Sequence, residues 1–390
     1  MAALTPLERC ALALIAVLTA IAGVAKYGAW APVPRFALAT LALAGLAWVV
    51  SFATEQLGER FGPGVTGMMQ STLGNLPELF VVIFALQKGE LIVAQTALVG
   101  SVLANALLVL GLVIIVGARR APDGIMRFSK RLPRDTATLL QVTVFIIVLL
   151  GLSLAAHDPA SHHVKAISAV GAVCLLVVYI AWVVPYLRSD SLPETAAPSS
   201  DEHSSGTPSS GMPTSGAPDT ADSPSSDAPD FDLELAGPRL SLATTLILLI
   251  VAGGASAFVS EWFVDALAPA IAQLHLSQAF AGLVIVAIAG NAVENTAGLV
   301  LAYKGRSDLA ISVVKNSIAQ IAAFLYPLLV LVSFALATTL TFALAPVYIG
   351  ALVLTALILW QVAGDGQAAA FEGWALVALY VILATLTIYE

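Results

Sequence analysis

Two acidic residues, Glu78 and Glu294, stand deep inside apolar stretches of this 390-residue chain. A carboxylate in the core of a bilayer is costly, so such residues are rare and usually functional. Each glutamate follows an asparagine, Asn75 or Asn291, by three residues, and this spacing places both side chains on one face of a helix. Carboxylate, amide and carbonyl oxygens are the ligands that calcium prefers. The pattern predicts a site for a hard cation.

Further oxygen ligands are predicted close to these glutamates. Pro77 lacks a backbone N–H, which would leave the carbonyl of Leu73 without its helical partner. The second copy has Val293 at the corresponding position, so the predicted site is not fully symmetric. Polar side chains on the following helices would serve either as ligands or in helix packing. They are Ser101, Asn105, Ser317 and Gln320.

Four other acids lie near the ends of apolar runs. Glu55 and Glu59 precede the first glutamate segment, and Glu261 and Asp265 precede the second. These residues would attract cations or guide protons toward the site. The alternative is that they are ordinary interfacial residues. Likewise, the alternative for Glu78 and Glu294 is that each carboxyl is satisfied separately, either protonated or hydrogen-bonded to a neighbouring helix.

The composition requires a membrane to position these groups. Hydrophobic residues make up 59% of the chain, charged residues 11%, and the mean hydropathy is +0.92. Soluble domains carry about 25% charge, so a soluble enzyme, a disordered protein and a nucleic-acid binder are excluded. A spanning helix needs about 20 apolar residues. Eleven such runs predict an all-α polytopic membrane protein: 10–26, 36–54, 64–88, 91–118, 134–156, 163–187, 239–268, 277–303, 308–335, 342–363 and 372–389.

One segment, residues 189–238, differs sharply from the rest. It is rich in Ser, Pro, Asp, Ala and Thr and contains ten of the 25 acids. Such a composition cannot bury enough apolar surface to offset its ordering entropy, so a disordered linker is predicted. Its acids would either sense cations or simply keep a tether solvated.

Lysine and arginine predict the orientation. Twelve of them fall in loops on one side of the membrane and four on the other. This asymmetry predicts a cytoplasmic N-terminus and linker, with the C-terminus outside. We expect a bacterial inner membrane.

The chain contains an internal repeat. GNLPELFVVIFALQKGE, from Gly74, matches GNAVENTAGLVLAYKGR, from Gly290, at an offset of 216 residues. Upstream, SFATEQLGE and AFVSEWFVD match at an offset of 206. Each copy holds five spans, and an odd number inverts the second copy in the membrane. The predicted domains are a first helix and loop at 1–35, repeats at 36–188 and 239–390, and the linker between them.

Inverted repeats are typical of secondary transporters, whose substrate binds near the midplane. Two carboxylates are neutralised by one Ca²⁺ or by two protons, so competition at one site would couple the two fluxes. Export of Na⁺ or K⁺ for protons by the same scaffold is the nearest alternative. A cation channel is an alternative from another class. No enzyme is predicted, because the spans carry no His cluster or phosphate loop.

The paired GN-x-x-E segments resemble the alpha-repeats of the calcium/proton (cation/proton) exchanger family, within the calcium/cation antiporter superfamily. The resemblance implies alternating access, with Glu78 and Glu294 binding cation and proton in turn, and Glu55 and Glu261 as the acids preceding each repeat. It implies no cofactor beyond the transported ions, with membrane lipid as surroundings. It also identifies Asn75, Asn291, Ser101, Asn105, Ser317 and Gln320 as motif positions.

The chain departs from the family pattern at three places. Asn295 replaces the histidine that commonly follows the second glutamate, which removes a titratable group. Leu76-Pro77 replaces Ala-Thr. Lys315-Asn316 precedes Ser317, where a glycine is usual. Lys315 is expected to extend toward the cytoplasmic surface; if it faces the site, it favours a monovalent substrate.

Overall fold

The computed structural model describes residues 4–58, 60, 73–129, 131–189 and 239–390. The side chains of 131–134, 186–189, 293–294 and 363 lie outside this description. All but the first residue of the predicted linker, and the predicted pathway acid Glu59, lie outside it as well.

Helices dominate the described part of the chain. Their bounds are α1 Pro6–Tyr27, α2 Pro32–Gly58, α3 Leu76–Gln87, α4 Leu91–Arg120, α5 Arg131–Ala156, α6 Val164–Ser189, α7 Leu242–Leu274, α8 Gln278–Gly290, α9 Ala292–Tyr303, α10 Ser307–Ser333, α11 Pro346–Ala363 and α12 Ala370–Ile388. Two short strands, β1 Ile125–Arg127 and β2 Gln367–Ala369, pair antiparallel. This ribbon was not predicted.

Polar side chains cap the first turns of α1, α7 and α8. Thr5 and Glu8 form a capping box, so α1 begins four residues before the predicted run. The Ser241 hydroxyl accepts the N–H of Thr244 at 3.1 Å, and that of Ser277 accepts the N–H of Phe280 at 2.8 Å. These bonds satisfy first-turn donors that apolar residues leave open.

Eight helices in the described ranges are long and apolar enough to cross a membrane, and the bent pair α8–α9 makes nine. The helices α3 and α11 are shorter apolar helices. The chain is therefore a helical, integral membrane protein. The predicted total of eleven spans stays a prediction.

The helix bounds repeat at the predicted offset. Residues Leu76–Gln87 of α3 become Ala292–Tyr303 of α9 after a shift of 216, and the start of α4 becomes the start of α10. Both long helices also contain a π-helical segment at matching positions, Ala104–Val109 and Ile321–Leu325. Such segments often mark functional sites.

The helices α3 and α9 end at opposite faces of the bundle. The end of α3 adjoins the start of α4, whereas Arg120 at the end of α4 donates to the carbonyl of Tyr303, which ends α9, at 2.9 Å. We name these the Lys88 face and the Lys304 face, after the residue that follows each helix. Two repeats that are inverted in the membrane would place α3 and α9 in this opposite orientation.

Close helix crossings bring the repeats together. At Gly100 of α4, an added Cβ would lie 2.5 Å from the Cα of Leu283 in α8, so only glycine permits this approach. The helices α2 and α7 pack along each other, and the rings of Phe36 and Phe263 lie 5.0 Å apart there. The helix α3 also packs against α7. The helical breaks at Asn75, before α3, and at Asn291, before α9, lie among these packed helices.

Candidate functional site

Glu78 lies in the first turn of α3 and is buried, with 1% of its surface exposed. The helix starts at Leu76, so Glu78 is its third residue. First-turn N–H groups and the helix dipole stabilise a negative charge at this end. The sequence had predicted one continuous run through residues 64–88, with Glu78 in its interior.

The structure places Pro77 in the first turn of α3 rather than inside a continuous helix. This proline lies within the first two residues of α3, where a missing N–H breaks no helical bond. The chain break at Asn75, rather than the proline, separates Leu73 from the new helix. A ligand role for the Leu73 carbonyl stays a prediction.

The second repeat breaks at the matching residue. Asn291 separates α8 from α9, and the axes of Gln278–Gly290 and Asn295–Tyr303 differ by 55°. Glu294 is the third residue of α9, as Glu78 is of α3, but its side chain lies outside the described part. Glu78 itself reaches this break, because a Cβ added at Gly290 would be 3.8 Å from its Cβ.

A buried cluster of amide and hydroxyl groups joins the two repeats beside these breaks. We call it the inter-repeat cluster; its members are Ser101, Asn105, Asn291 and Ser317, each no more than 1% exposed. Asn105 Nδ2 lies 3.3 Å from Asn291 Oδ1 and 3.2 Å from Ser317 Oγ. Asn291 Nδ2 donates to Ser101 Oγ at 2.9 Å. Four predicted ligands therefore meet.

The cluster leaves one acceptor open. Asn105 Nδ2 also donates to the Ser101 carbonyl at 3.0 Å, which fixes the orientation of the amide. Its Oδ1 is buried and has no hydrogen-bond partner among the described residues. A buried acceptor without a partner costs about 1–3 kcal/mol. This oxygen is therefore suited to a cation or to a hydroxyl donor.

The two remaining amides lie differently. Asn75 is buried, 4% exposed, at the break before α3, and its carbonyl accepts the N–H of Leu79 at 2.9 Å. Gln320 approaches the Tyr179 hydroxyl of α6. The described part of the chain contains no group of three His, Cys, Asp or Glu residues that could hold a metal. A site here would combine carboxylates with neutral oxygens.

A contact that the sequence had not predicted ties α7 to the glutamate helix. The Ser260 hydroxyl, fully buried, lies 3.4 Å from the Pro77 carbonyl. Ser256 stands one turn earlier on α7 and is also buried. The sequence feature that could have predicted this contact is the four-residue spacing of Ser256 and Ser260 in an apolar helix, because this spacing places both hydroxyls on one face.

The predicted pathway acids separate into two kinds. Glu55 on α2 is exposed and Glu261 on α7 is partly exposed, so a pathway role for both stays a prediction. Asp265 is ion-paired with both Lys26 and Lys88. A carboxylate held by two ammonium groups does not fit the role of attracting cations that we predicted for it.

Lys315 does not reach the surface, so that expectation is wrong. Its side chain is 1% exposed, and Nζ lies 5.4 Å from the centre of the Phe128 ring. No residue in the described ranges hydrogen-bonds to this nitrogen. Ser129, beside that ring, donates its N–H to Asp308 Oδ1 at 2.5 Å. The loop after β1 thus covers the ammonium group.

Comparison with known proteins gives a consistent result. A family model described as sodium/calcium exchanger protein matches residues 32–186 and again 244–389. A Ca²⁺/H⁺ antiporter of Synechocystis sp. is 28% identical, over 91% of this chain and 91% of its own length. A vacuolar calcium ion transporter of Schizosaccharomyces pombe is 28% identical, over 95% and 82%. A solved structure of native YfkE shares the fold with a TM-score of 0.74 at 24% identity, over 97% and 100%.

Proposed function

Because this chain belongs to the sodium/calcium exchanger family, we propose that it is a secondary antiporter that exchanges Ca²⁺, or another cation, for protons. Its relatives are transporters and not enzymes, in agreement with the sequence-based prediction. The names of two relatives specify calcium, and one specifies exchange for protons. Coupled exchange is accordingly the function that best fits a buried carboxylate beside neutral oxygens.

The inter-repeat cluster carries this proposal. Asn105 Oδ1 offers a buried acceptor that the described residues leave open, and Glu78 approaches the break from which Asn291 enters the cluster. Calcium takes six to eight oxygen ligands from carboxylates, amides and carbonyls. We infer that the cation binds between Glu78 and Glu294, with Asn75, Asn291, Asn105, Ser101 and Ser317 as further ligands.

Proton coupling follows from competition for the carboxylates. Bound Ca²⁺ neutralises Glu78 and Glu294, and so do two protons. Either loaded form crosses the low-dielectric interior at lower cost than the empty, doubly charged site. Both glutamates are third residues of helices, so the helix N-termini also stabilise the charged state exposed to water. One site can thus bind the two substrates alternately.

Alternating access would be achieved by α2 and α7. These helices pack against each other, and α7 also packs against the Glu78 helix. A shift of the pair relative to α3 and α9 would expose the site first to one face and then to the other. In the predicted orientation, with eleven spans and a cytoplasmic N-terminus in a bacterial inner membrane, the cation leaves the cytoplasm as protons enter.

One observation favours a monovalent cation as the second candidate substrate. Lys315 is buried two residues before Ser317. A positive charge near the cation site opposes a divalent ion more strongly than a monovalent one. The ammonium group lies against the Phe128 ring and hydrogen-bonds to none of the described cluster residues, so Ca²⁺ remains the first choice.

Proton flux in proteoliposomes tests the proposal. Vesicles with an acidic interior receive Ca²⁺, Na⁺ or K⁺ outside, and internal alkalinisation is recorded. We expect Ca²⁺ to give the largest response, and Glu78→Gln and Glu294→Gln each to abolish it. Glu90→Gln is the matched control, because this carboxylate contacts Gln278 at the Lys88 face, 2.7 Å away. Folded wild-type protein that responds to no cation would refute the proposal.

A further inference from the structure

One carboxylate on α7 is held by two lysines from different helices. Asp265 pairs with Lys26 near the end of α1 and with Lys88, which follows α3. The three side chains are only partly exposed, at 18% for Asp265, 22% for Lys26 and 37% for Lys88. The contact therefore joins α1, α7 and the Glu78 helix at the Lys88 face.

The two lysines connect Asp265 to different parts of the molecule. The helix α1 is bound to the α7 segment at both ends, because Glu8 pairs with Arg239 at 2.8 Å just before α7 begins. Near Asp265, the rings of Tyr27 and Trp262 lie 6.0 Å apart at 79°. The helices α1 and α7 thus form one unit.

Lys88 instead belongs to the unit that carries Glu78. It follows α3, whose first turn contacts α7 through Ser260 and the Pro77 carbonyl. The pair Asp265–Lys88 adds a second contact between α7 and α3 at the far end of α3. Moving α7 away from α3 at this face would break the pair, whereas Asp265–Lys26 would move with α7.

The second repeat has a lysine at the matching position. Lys304 follows α9 as Lys88 follows α3. It is exposed and makes no ion pair with any side chain that the structure describes. The residue that matches Asp265 in the repeat alignment is Glu59, which lies outside the described residues. In a transporter with alternating access one face is closed when the other is open, so a contact that closes the Lys88 face would bias the cycle.

We propose that Asp265 is a positioning residue that latches α7 to the Glu78 helix through Lys88 and so stabilises the conformer closed at the Lys88 face. This inference rests on the proposed antiport function. Lys26 keeps α1 on α7 in every conformer and compensates the carboxylate when Lys88 leaves. A partly exposed ion pair shifts an equilibrium by a factor of about two to five. Such a latch biases the cycle without stopping it.

The test measures how readily the gap between α3 and α7 opens. In a background without Cys10 and Cys174, Ser260→Cys places a thiol where α7 meets Pro77. A small, impermeant cationic methanethiosulfonate is added outside intact cells, and the modification rate is measured in nominally calcium-free buffer. Lys165→Cys, at the exposed start of α6, first establishes that the Lys88 face is exterior.

Lys88→Ala should raise the modification rate about two- to fivefold, and Lys88→Arg should keep it at the wild-type value. Lys26→Ala should lower the melting temperature and leave the rate unchanged within twofold. Lys165→Ala removes an unpaired charge from the same face and should change neither. Equal rates for wild type and Lys88→Ala, or equal effects of Lys88→Ala and Lys26→Ala, would overturn the latch.

This readout separates the two proposals, because accessibility requires no ion exchange. Loss of all cation-driven proton flux with a normal Lys88→Ala effect would remove the antiport function and leave the α3–α7 contact. Normal flux with no Lys88→Ala effect would remove only the latch. If Lys88→Ala fails to fold, the comparison of Lys88→Arg and Lys88→Gln decides the matter in the same way.

Discussion

Asn105 of α4 and Asn291 at the break before α9 are hydrogen-bonded across the two repeats, with Nδ2 of the first 3.3 Å from Oδ1 of the second. The bond leaves Asn105 Oδ1 as a buried acceptor with no partner among the described residues. One residue therefore both joins the repeats and presents an open oxygen to the proposed cation site. Substitutions of Asn105 can therefore distinguish its contribution to stability, by joining the repeats, from its proposed contribution to cation binding.

Replacing Asn105 by leucine should reduce cation-driven flux more than stability. The substitution removes the open oxygen and leaves Asn291 and Ser317 with one hydrogen bond fewer, a loss of about 1–3 kcal/mol. We expect the half-saturating Ca²⁺ concentration to rise about 10- to 100-fold. Asn105→Asp should retain binding, since it keeps an oxygen ligand.

Gln95→Leu is the control for Asn105→Leu, because Gln95 lies on the same helix and, among the described residues, donates to the Ala343 carbonyl alone, at 2.9 Å. It should leave the half-saturating concentration within twofold. Flux and melting temperature are measured on the same preparations. A purely structural role for Asn105 would show as a lower melting temperature with unchanged calcium affinity.

Calcium binding should weaken as the pH falls. Protons and Ca²⁺ compete for the same two carboxylates in the proposed mechanism, so protonation of Glu78 and Glu294 removes the ligands. Equilibrium binding of radioactive calcium to the detergent-purified protein, between about pH 6 and pH 8, measures this. An affinity independent of pH would contradict competition at one site and would require a separate proton route.

Part of this architecture could be predicted from the sequence. The offset of 216 residues anticipated that α9 would repeat the bounds of α3, because both copies fold under the same local preferences. The helix breaks at Asn75 and Asn291 were not predicted, although each asparagine follows a glycine, because both segments were interpreted as single spanning helices. In a membrane, such a break depends on neighbouring helices that satisfy the freed backbone groups.

Ion pairs between residues that are far apart in the sequence could not be predicted either. Asp265 was predicted near the end of a span, whereas α7 continues for nine residues beyond it, to Leu274, and its ion pairs with Lys26 and Lys88 were not predicted. Their pairing depends on how α1, α3 and α7 pack, and charge spacing along the chain does not encode that. The burial of Lys315 escaped prediction for the same reason, because the loop that covers it comes from the other repeat.

Pro77→Ala should be nearly silent. The proline occupies the first turn of α3, where it removes no hydrogen bond, so we expect unfolding to change by less than about 1 kcal/mol. The second repeat supports this, because α9 begins at the same register with Val293 in that position. Flux and melting temperature within error of wild type are expected. Lost transport in a stable variant would show that the proline acts on the Leu73 carbonyl.

Gly100→Ala should prevent stable folding. The new Cβ would meet backbone atoms of Leu283 at 2.5–2.9 Å, and two backbones cannot give way as a side chain can. We expect a loss of about 1–3 kcal/mol or more, seen as a lower melting temperature and low yield. Gly350→Ala is the control, since nothing lies within 4 Å of its added Cβ. Equal stability of both variants would contradict the α4–α8 crossing.

Lys315→Met should stabilise the protein and favour calcium. The ammonium group is buried against the Phe128 ring and has no hydrogen-bond partner among the described residues, so an apolar side chain of similar length removes a desolvation cost. We expect the melting temperature to rise by about 2–4 °C, which corresponds to roughly 1 kcal/mol. The ratio of Ca²⁺- to Na⁺-driven flux should rise as well, because a positive charge opposes the divalent ion more strongly. Lys304→Met, at an exposed position after α9, should change neither quantity. A higher melting temperature with an unchanged flux ratio would assign Lys315 no part in selectivity, and a lower melting temperature would show that its charge is compensated.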